Sequence, residues 1–196
     1  MVEVAPDEVT RFWIEEIGPR GWYAVDAEVD AAISARFGAA WEAAARGGLQ
    51  GWRCGPIGTL AYVLLTDQFP RNMFRGQARA FATDAKGRAA ALRAIVRRWD
   101  LRIPEPQRQF FYLPLMHSEV LADQEKATRL ILTRMPATGS DTLLHARAHR
   151  EVIRRFGRFP YRNAALGRRS TPDERAFLDA GGYVAILREL RAPEAA

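Results

Sequence analysis

The stretch TLAYVLLTDQFPRNMFRG, Thr59–Gly76, indicates the fold class of this sequence. Its first part is strongly apolar and shows none of the alternation between apolar and polar positions that is typical of a strand. We therefore predict a helix that begins near Thr59. Because proline lacks the backbone N–H that the next helical turn needs, we expect Pro70 to end this helix.

The same helical spacing of apolar residues extends over nearly the whole chain. Short connections between such helices favour antiparallel neighbours. The sequence therefore predicts an all-α protein of about eight or nine antiparallel helices in a bundle or a layered stack, without a sheet. The other predicted helices cover residues 7–17, 26–37, a short segment around Trp41, 83–99, 106–113, 118–135 and 140–156, and one that begins at the TPDE sequence of Thr171–Glu174.

Length and composition indicate one ordinary globular domain over residues 1–196. No apolar run approaches the roughly twenty residues that span a bilayer, and the acidic N-terminus does not resemble a signal peptide, so we expect a cytoplasmic protein without membrane contact. Cys54 is the single cysteine, which excludes a disulfide framework. The net charge of +6 comes from the part after Thr66, where basic residues outnumber acidic ones by ten.

A Phe-Pro dipeptide followed by Arg-Asn occurs twice, first at Phe69–Asn72 and again within RFPYRNAALGR, Arg158–Arg168. One interpretation is structural, because arginine favours the negative end of a helix dipole and asparagine tolerates the left-handed turn that often follows a helix. The other is functional, because guanidinium groups form paired hydrogen bonds with carboxylate or phosphate. The arginine-rich surroundings favour a small anionic ligand.

Several further motifs carry a family resemblance. They are DQFPRNMFRG (67–76), AFATD (80–84), FYLPLMHSE (111–119), ADQ (122–124) and FGRFPYRN with LGR (156–168), together with Phe12, Trp13, Trp22 and Trp52. These motifs resemble the bacterial domain-of-unknown-function family 924 from about Phe12 to Leu178. The resemblance implies an all-helical fold of the tetratricopeptide-like superfamily and no established activity. The tail over residues 181–196 lies outside the shared pattern, and we expect a short amphipathic helix on the surface there.

Three side chains near the middle of the chain suggest an alternative, enzymatic interpretation. His117 precedes a predicted helix, and Glu119 and Asp123 share a face of that helix because they are four residues apart. Such a set can run general acid/base chemistry or bind a divalent metal. His145 and His149 have the spacing of a zinc-binding pair, but they lie on an apolar stripe, which favours hydrogen-bonded histidines at the core boundary.

Asp67 lies in the apolar helix before the first Phe-Pro dipeptide. A buried carboxylate needs a partner, so we expect either a pair with Arg71, one helical turn away, or a link to Arg162. The functional alternative is a carboxylate that lines a pocket and has a shifted pKa.

The sequence thus leaves three functions open. The first is binding of a small anion in a pocket between the two Phe-Pro turns, the second is a hydrolase-like or metal-assisted enzyme, and the third is a tetratricopeptide-like scaffold for a protein or peptide partner. No cofactor or bound metal is expected, and nucleic-acid binding is the least favoured. The predicted ligand-binding residues are Arg71, Asn72, Arg75, Asp123, Arg158, Arg162 and Asn163, and the predicted catalytic residues are His117, Glu119 and Asp67.

Overall fold

The computed structural model describes residues 4–191, and the regular structure in that range consists of helices. No strand occurs among these residues, so the predicted all-α fold is confirmed. The chain divides into two units, Met1–Pro114 and Leu115–Ala196, and a single domain over 1–196 stays a prediction. Within the described range, no helix combines the length and the apolar character needed to cross a bilayer.

The first unit is built from helices that lie close to the predicted ones. The α-helices are α1 (Pro6–Arg11), α2 (Gly18–Gly21), α3 (Ala27–Ala45), α4 (Pro56–Val63), α5 (Phe69–Met73) and α6 (Asp84–Val96). Two π-helical segments extend α1 over Phe12–Ile17 and join α4 to α5 over Leu64–Gln68. The 3-10 turns are Gln50–Cys54, Ala78–Phe81, Asp100–Arg102 and Gln107–Phe111. The short α7, Leu113–Met116, spans the boundary between the units.

The aromatic residues of these helices form the core of the first unit. Phe69, the first residue of the Phe-Pro dipeptide, is fully buried. Its ring lies 5.0 Å from the Phe37 ring and 5.5 Å from the Trp13 ring. Phe110 packs edge-on against both Trp13 and Trp22. Phe69 is therefore a packing residue that anchors α5.

Pro70 does not end the helix, contrary to the sequence prediction, because α5 continues through it to Met73. The π-helical segment before it widens the turn, with the Phe69 N–H bonded to the Leu64 carbonyl. Proline has no N–H to donate to the carbonyl of Thr66, four residues back, as the residue at position 70 of an α-helix would. The Thr83 hydroxyl donates to that carbonyl at 2.7 Å. A donor from the start of α6 thus makes a proline acceptable inside the helix.

The second unit contains α8 (Leu121–Arg134), α9 (Ser140–Phe156), α10 (Pro172–Asp179) and α11 (Gly182–Arg191), with a 3-10 turn at Pro160–Arg162. Gly157 ends α9 in the left-handed conformation, at φ +67°. Thr171 and Glu174 form a capping box at the start of α10, where the TPDE sequence predicted a helix to begin. The second Phe-Pro dipeptide therefore follows a finished helix, whereas the first lies inside one.

The tail helix α11 belongs to the core of the second unit, although we expected it on the surface. Ile186 and Leu187 are buried with Val152 and Phe159 in one apolar cluster. The spacing of its apolar residues did predict the helix correctly. The apolar face of α11 is buried because it packs against apolar residues of α9.

Candidate functional site

The donors of the first Phe-Pro turn bind carboxylates of neighbouring helices. Arg71 donates to both oxygens of Asp84 at 2.9 and 3.0 Å. Asp30 of α3 accepts from Asn72 at 2.8 Å and from Arg75 at 2.5 and 2.9 Å. Two hydrogen bonds in parallel give an arginine–carboxylate pair its best geometry. The three predicted ligand-binding residues of this turn therefore tie α5 to α3 and α6.

Asp67 lies buried in the π-helical segment just before that turn. Its Oδ1 is 3.4 Å from a guanidinium nitrogen of Arg71, so one of the two expected pairs is present. Its Oδ2 accepts a hydrogen bond from Gln68 at 2.6 Å, and Arg71 also donates to the Asp67 carbonyl. Gly87 of α6 lies close to this residue, and a Cβ there would lie 3.3 Å from the Asp67 Cβ. The side chain is closely surrounded by these groups.

Glu174 organises the second Phe-Pro turn. Arg158 donates to its two oxygens at 2.5 and 2.8 Å. Asn163 and the Thr171 backbone N–H donate to Oε2 at 3.2 and 2.7 Å. These hydrogen bonds, that from Arg158 first, lower the pKa of Glu174 to about 2. Arg158 and Asn163, both predicted to bind a ligand, thus hold the start of α10.

Glu119 is likewise engaged by residues of that turn. It accepts hydrogen bonds from Arg168 at 2.7 and 3.0 Å and from the Phe159 N–H at 2.8 Å. Burial raises the pKa of this carboxyl, but the bonds from Arg168 and the backbone outweigh it, so the pKa is lowered. Arg162 donates to the His117 carbonyl at 3.0 Å and lies 4.3 Å above the Phe159 ring. Glu119 is therefore held as a carboxylate anion.

The three histidines of the chain lie in the second unit. The rings of His117 and His149 are 6.2 Å apart. Burial, together with the nearby His117, lowers the pKa of His149 to about 3, so its imidazole is neutral at ordinary pH. The His149 Nδ1 is 2.8 Å from the His145 carbonyl, and the His145 Nδ1 is 2.6 Å from the Tyr183 hydroxyl. This cluster connects α9 with α11 by hydrogen bonds.

Asp123 accepts a hydrogen bond from the Ser118 hydroxyl at 2.6 Å at the start of α8. The Ser118 hydroxyl also accepts from the Val120 N–H at 3.2 Å, which fixes the entry into the helix. Within residues 4–191 no three His, Cys, Asp or Glu side chains converge in an arrangement that would hold a metal ion.

A cleft of about 480 Å³ lies beside the second Phe-Pro turn, between the end of α9 and the start of α10. It is lined by Arg155, Phe156, Arg158, Thr171, Asp173 and Glu174. Two arginines and two carboxylates balance one another there. A cleft with this lining has no net preference for an anion.

A second cleft, of about 470 Å³, opens in the first unit between α1, the start of α4 and the segment before the 3-10 turn at Gln107–Phe111. Its apolar residues are Ile14, Ile57, Leu60, Ile103 and Pro104, and its polar residues are Asp7, Thr10, Arg11, Glu15 and Gln107. Ile57 leaves 44% of its surface exposed in this cleft. We call this feature the α1–α4 cleft.

The α1–α4 cleft was not predicted from sequence, because apolar periodicity identifies the face of a helix that is buried in the core. Val9, Phe12 and Trp13 form that stripe on α1 and its π-helical extension. The cleft uses the opposite stripe, where Ile14 stands among polar residues. An isoleucine on the polar face was the one signal available from sequence.

Comparison with known proteins assigns the chain to a family. The family model described as "Bacterial protein of unknown function (DUF924)" matches residues 9–182. A solved structure of a protein of unknown function from Agrobacterium tumefaciens is similar, with a TM-score of 0.84 and 44% identity over 90% of this chain and 97% of that one. The curated proteins gave no match. The resemblance seen in the motifs is thus confirmed, and the chain belongs to this bacterial family of unknown function.

Proposed function

We propose that this protein is a helical protein-interaction domain that binds an apolar segment of a partner in the α1–α4 cleft. The observation that carries the proposal is the exposed Ile57 within a cleft that is also lined by the partly exposed Ile14. A concave apolar surface with a few polar groups at its edge is the usual form of a binding site. Since residues of α1 and α4 line the cleft, a helix of a partner can pack beside them.

The contacts of the Phe-Pro turns support this choice among the three functions. A small anion at the first turn would have to displace Asp84 or Asp30 from their arginines, and at the second turn it would have to displace Glu174 from Arg158. Because these carboxylates belong to the same chain as the arginines, their effective concentration is high, and a free anion competes poorly with them. The pocket between the two turns stays a prediction, whereas the contacts within each unit favour a role of these residues in holding helices.

Selection of peptides from a displayed random library on the purified protein tests the proposal. We expect enriched sequences with several large apolar residues. Their binding should be lost in Ile57→Glu, which places a charge in the cleft. Because position 57 lies in the first turn of α4, a carboxylate there is compatible with the helix dipole and with folding.

Val25→Glu is the matched control. Val25 is 82% exposed, lies in the same unit and likewise stands next to a helix start, but it does not line the cleft. This variant should bind the selected peptides as the unaltered protein does. Enriched peptides that bind Ile57→Glu and the unaltered protein equally well would contradict the proposal, and so would a library that yields no enriched sequence.

A further inference from the structure

The two carboxylates that line the α1–α4 cleft differ in their partners from the other acidic residues of α1 and its π-helical extension. Glu8 and Glu16 both lie within 4 Å of Arg36, at 3.7 and 2.7 Å, and Glu16 also lies 3.8 Å from Arg11. Asp7 and Glu15 line the cleft, and in the part of the chain that the structure describes neither carboxylate forms an ion pair. The cleft lining therefore carries two carboxylates that are open to a cationic partner, whereas Arg11 of the same lining lies near Glu16.

The position of Glu15 is unfavourable for the helix itself. It lies in the π-helical extension of α1, three residues before Gly18 ends that segment. A carboxylate near a helix C-terminus is repelled by the negative end of the helix dipole. Glu16, its neighbour, is compensated by its bonds with Arg36, which lower its pKa. Glu15 has no such compensation among the described residues, so helix stability does not account for a glutamate there.

We propose that the partner segment is an amphipathic helix with an apolar stripe and two basic residues beside it, one facing Asp7 and the other Glu15. This inference rests on the proposed function and names the chemistry of the partner. The apolar stripe would contact Ile14, Ile57 and Pro104, and Lys or Arg side chains would extend to the two carboxylates. Long basic side chains can cover apolar surface with their methylene groups while the charged ends stay in water.

The spacing of the two carboxylates sets the spacing of the basic residues. Asp7 and Glu15 are eight residues apart. At about 1.5 Å per residue they are separated by roughly 12 Å along the helix axis. A partner helix that lies along α1 would match them with basic residues seven or eight positions apart, on the same side as its apolar stripe.

Two synthetic peptides of about 18 residues test this inference. Both carry the same leucine stripe at helical spacing, and they differ only at two flanking positions eight residues apart, which hold lysine in one and glutamate in the other. Their binding to the unaltered chain is measured by fluorescence anisotropy at low salt. We expect the lysine peptide to bind roughly 3- to 20-fold more tightly, since two exposed ion pairs contribute that much.

The double variant Asp7→Asn/Glu15→Gln should remove this preference, and its affinity for the glutamate peptide should be at least that of the unaltered chain. Its matched control is Glu125→Gln/Asp179→Asn, which removes two exposed carboxylates outside the cleft and should keep the preference. If both peptides bind equally to the unaltered chain, or if the preference survives the Asp7/Glu15 change, the partner is not basic and the inference is wrong. In that case the proposed function would still be supported if Ile57→Glu abolished the binding of both peptides. If Ile57→Glu left their binding intact, both the proposed function and this inference would be refuted.

Discussion

Replacement of Thr83 by valine tests why a proline is tolerated inside the α4–α5 helical segment. The Thr83 hydroxyl donates to the Thr66 carbonyl at 2.7 Å and accepts from the Trp41 indole N–H at 3.1 Å. Thr83 is 1% exposed, and valine has nearly the same shape. The variant therefore takes one hydrogen-bond partner from each of two buried groups. Each such loss costs about 1–3 kcal/mol, so we expect the free energy of unfolding to fall by roughly 2–5 kcal/mol.

Urea unfolding followed by tryptophan fluorescence is a suitable assay, because all five tryptophans lie in residues 1–114 and report on the first unit. Thr83→Ser is the control: it keeps the hydroxyl, loses one buried methyl group and should cost about 1 kcal/mol. If Thr83→Val is no less stable than Thr83→Ser, the hydroxyl does not compensate for Pro70 and the explanation of this segment is wrong.

Two glycine-to-alanine substitutions distinguish the effect of steric crowding on stability from the effect of helix propensity. Gly58→Ala should destabilise the first unit by about 2 kcal/mol despite alanine's helix propensity, because the new Cβ would lie 2.2 Å from the Trp52 carbonyl oxygen. Gly38→Ala has open space around the new Cβ and should stabilise the unit by about 0.5–1 kcal/mol. Urea unfolding measures both changes, and equal effects of the two variants on the free energy of unfolding would contradict this prediction. In the second unit, the pKa of Glu174 is about 2 instead of its ordinary 4.5, so its contribution is present above pH 4.5 and lost as the pH falls toward 2. Glu174→Gln should therefore lower stability at pH 7 and reduce the loss between pH 4.5 and 2, measured by circular dichroism in urea; an unchanged pH dependence would argue against the pair with Arg158.

Local patterns in the sequence predicted most helices correctly. Gly157 ends α9 and the TPDE sequence begins α10 because a left-handed glycine and a capping box act within one helical turn. The course of the chain at Pro70 could not be predicted in this way. It depends on the π-helical segment and on the hydroxyl of Thr83, thirteen residues further along the chain.

In the candidate site, too, the residues within a local motif could be predicted from sequence, whereas their partners far along the chain could not. Sequence reasoning found the arginines and asparagines of the two Phe-Pro turns, and all of those side chains make specific contacts. It missed Asp30 and Glu174 as their partners, because a residue forty-five positions from Arg75, or sixteen from Arg158, has no periodic relation to it. The α1–α4 cleft was missed for a similar reason, since its walls come from three separate stretches of the chain.

Isoleucine methyl NMR during a titration with the lysine-flanked peptide tests most directly whether the α1–α4 cleft binds a partner helix. Ile14, Ile57 and Ile103 line the cleft, whereas Ile33 and Ile95 lie buried in the same unit and do not line it. We expect the first three methyl signals to shift together as the peptide is added, with the signals of Ile33 and Ile95 unchanged. Shifts at isoleucines outside the cleft without any at Ile14, Ile57 and Ile103, or no shift at all, would contradict the proposed function.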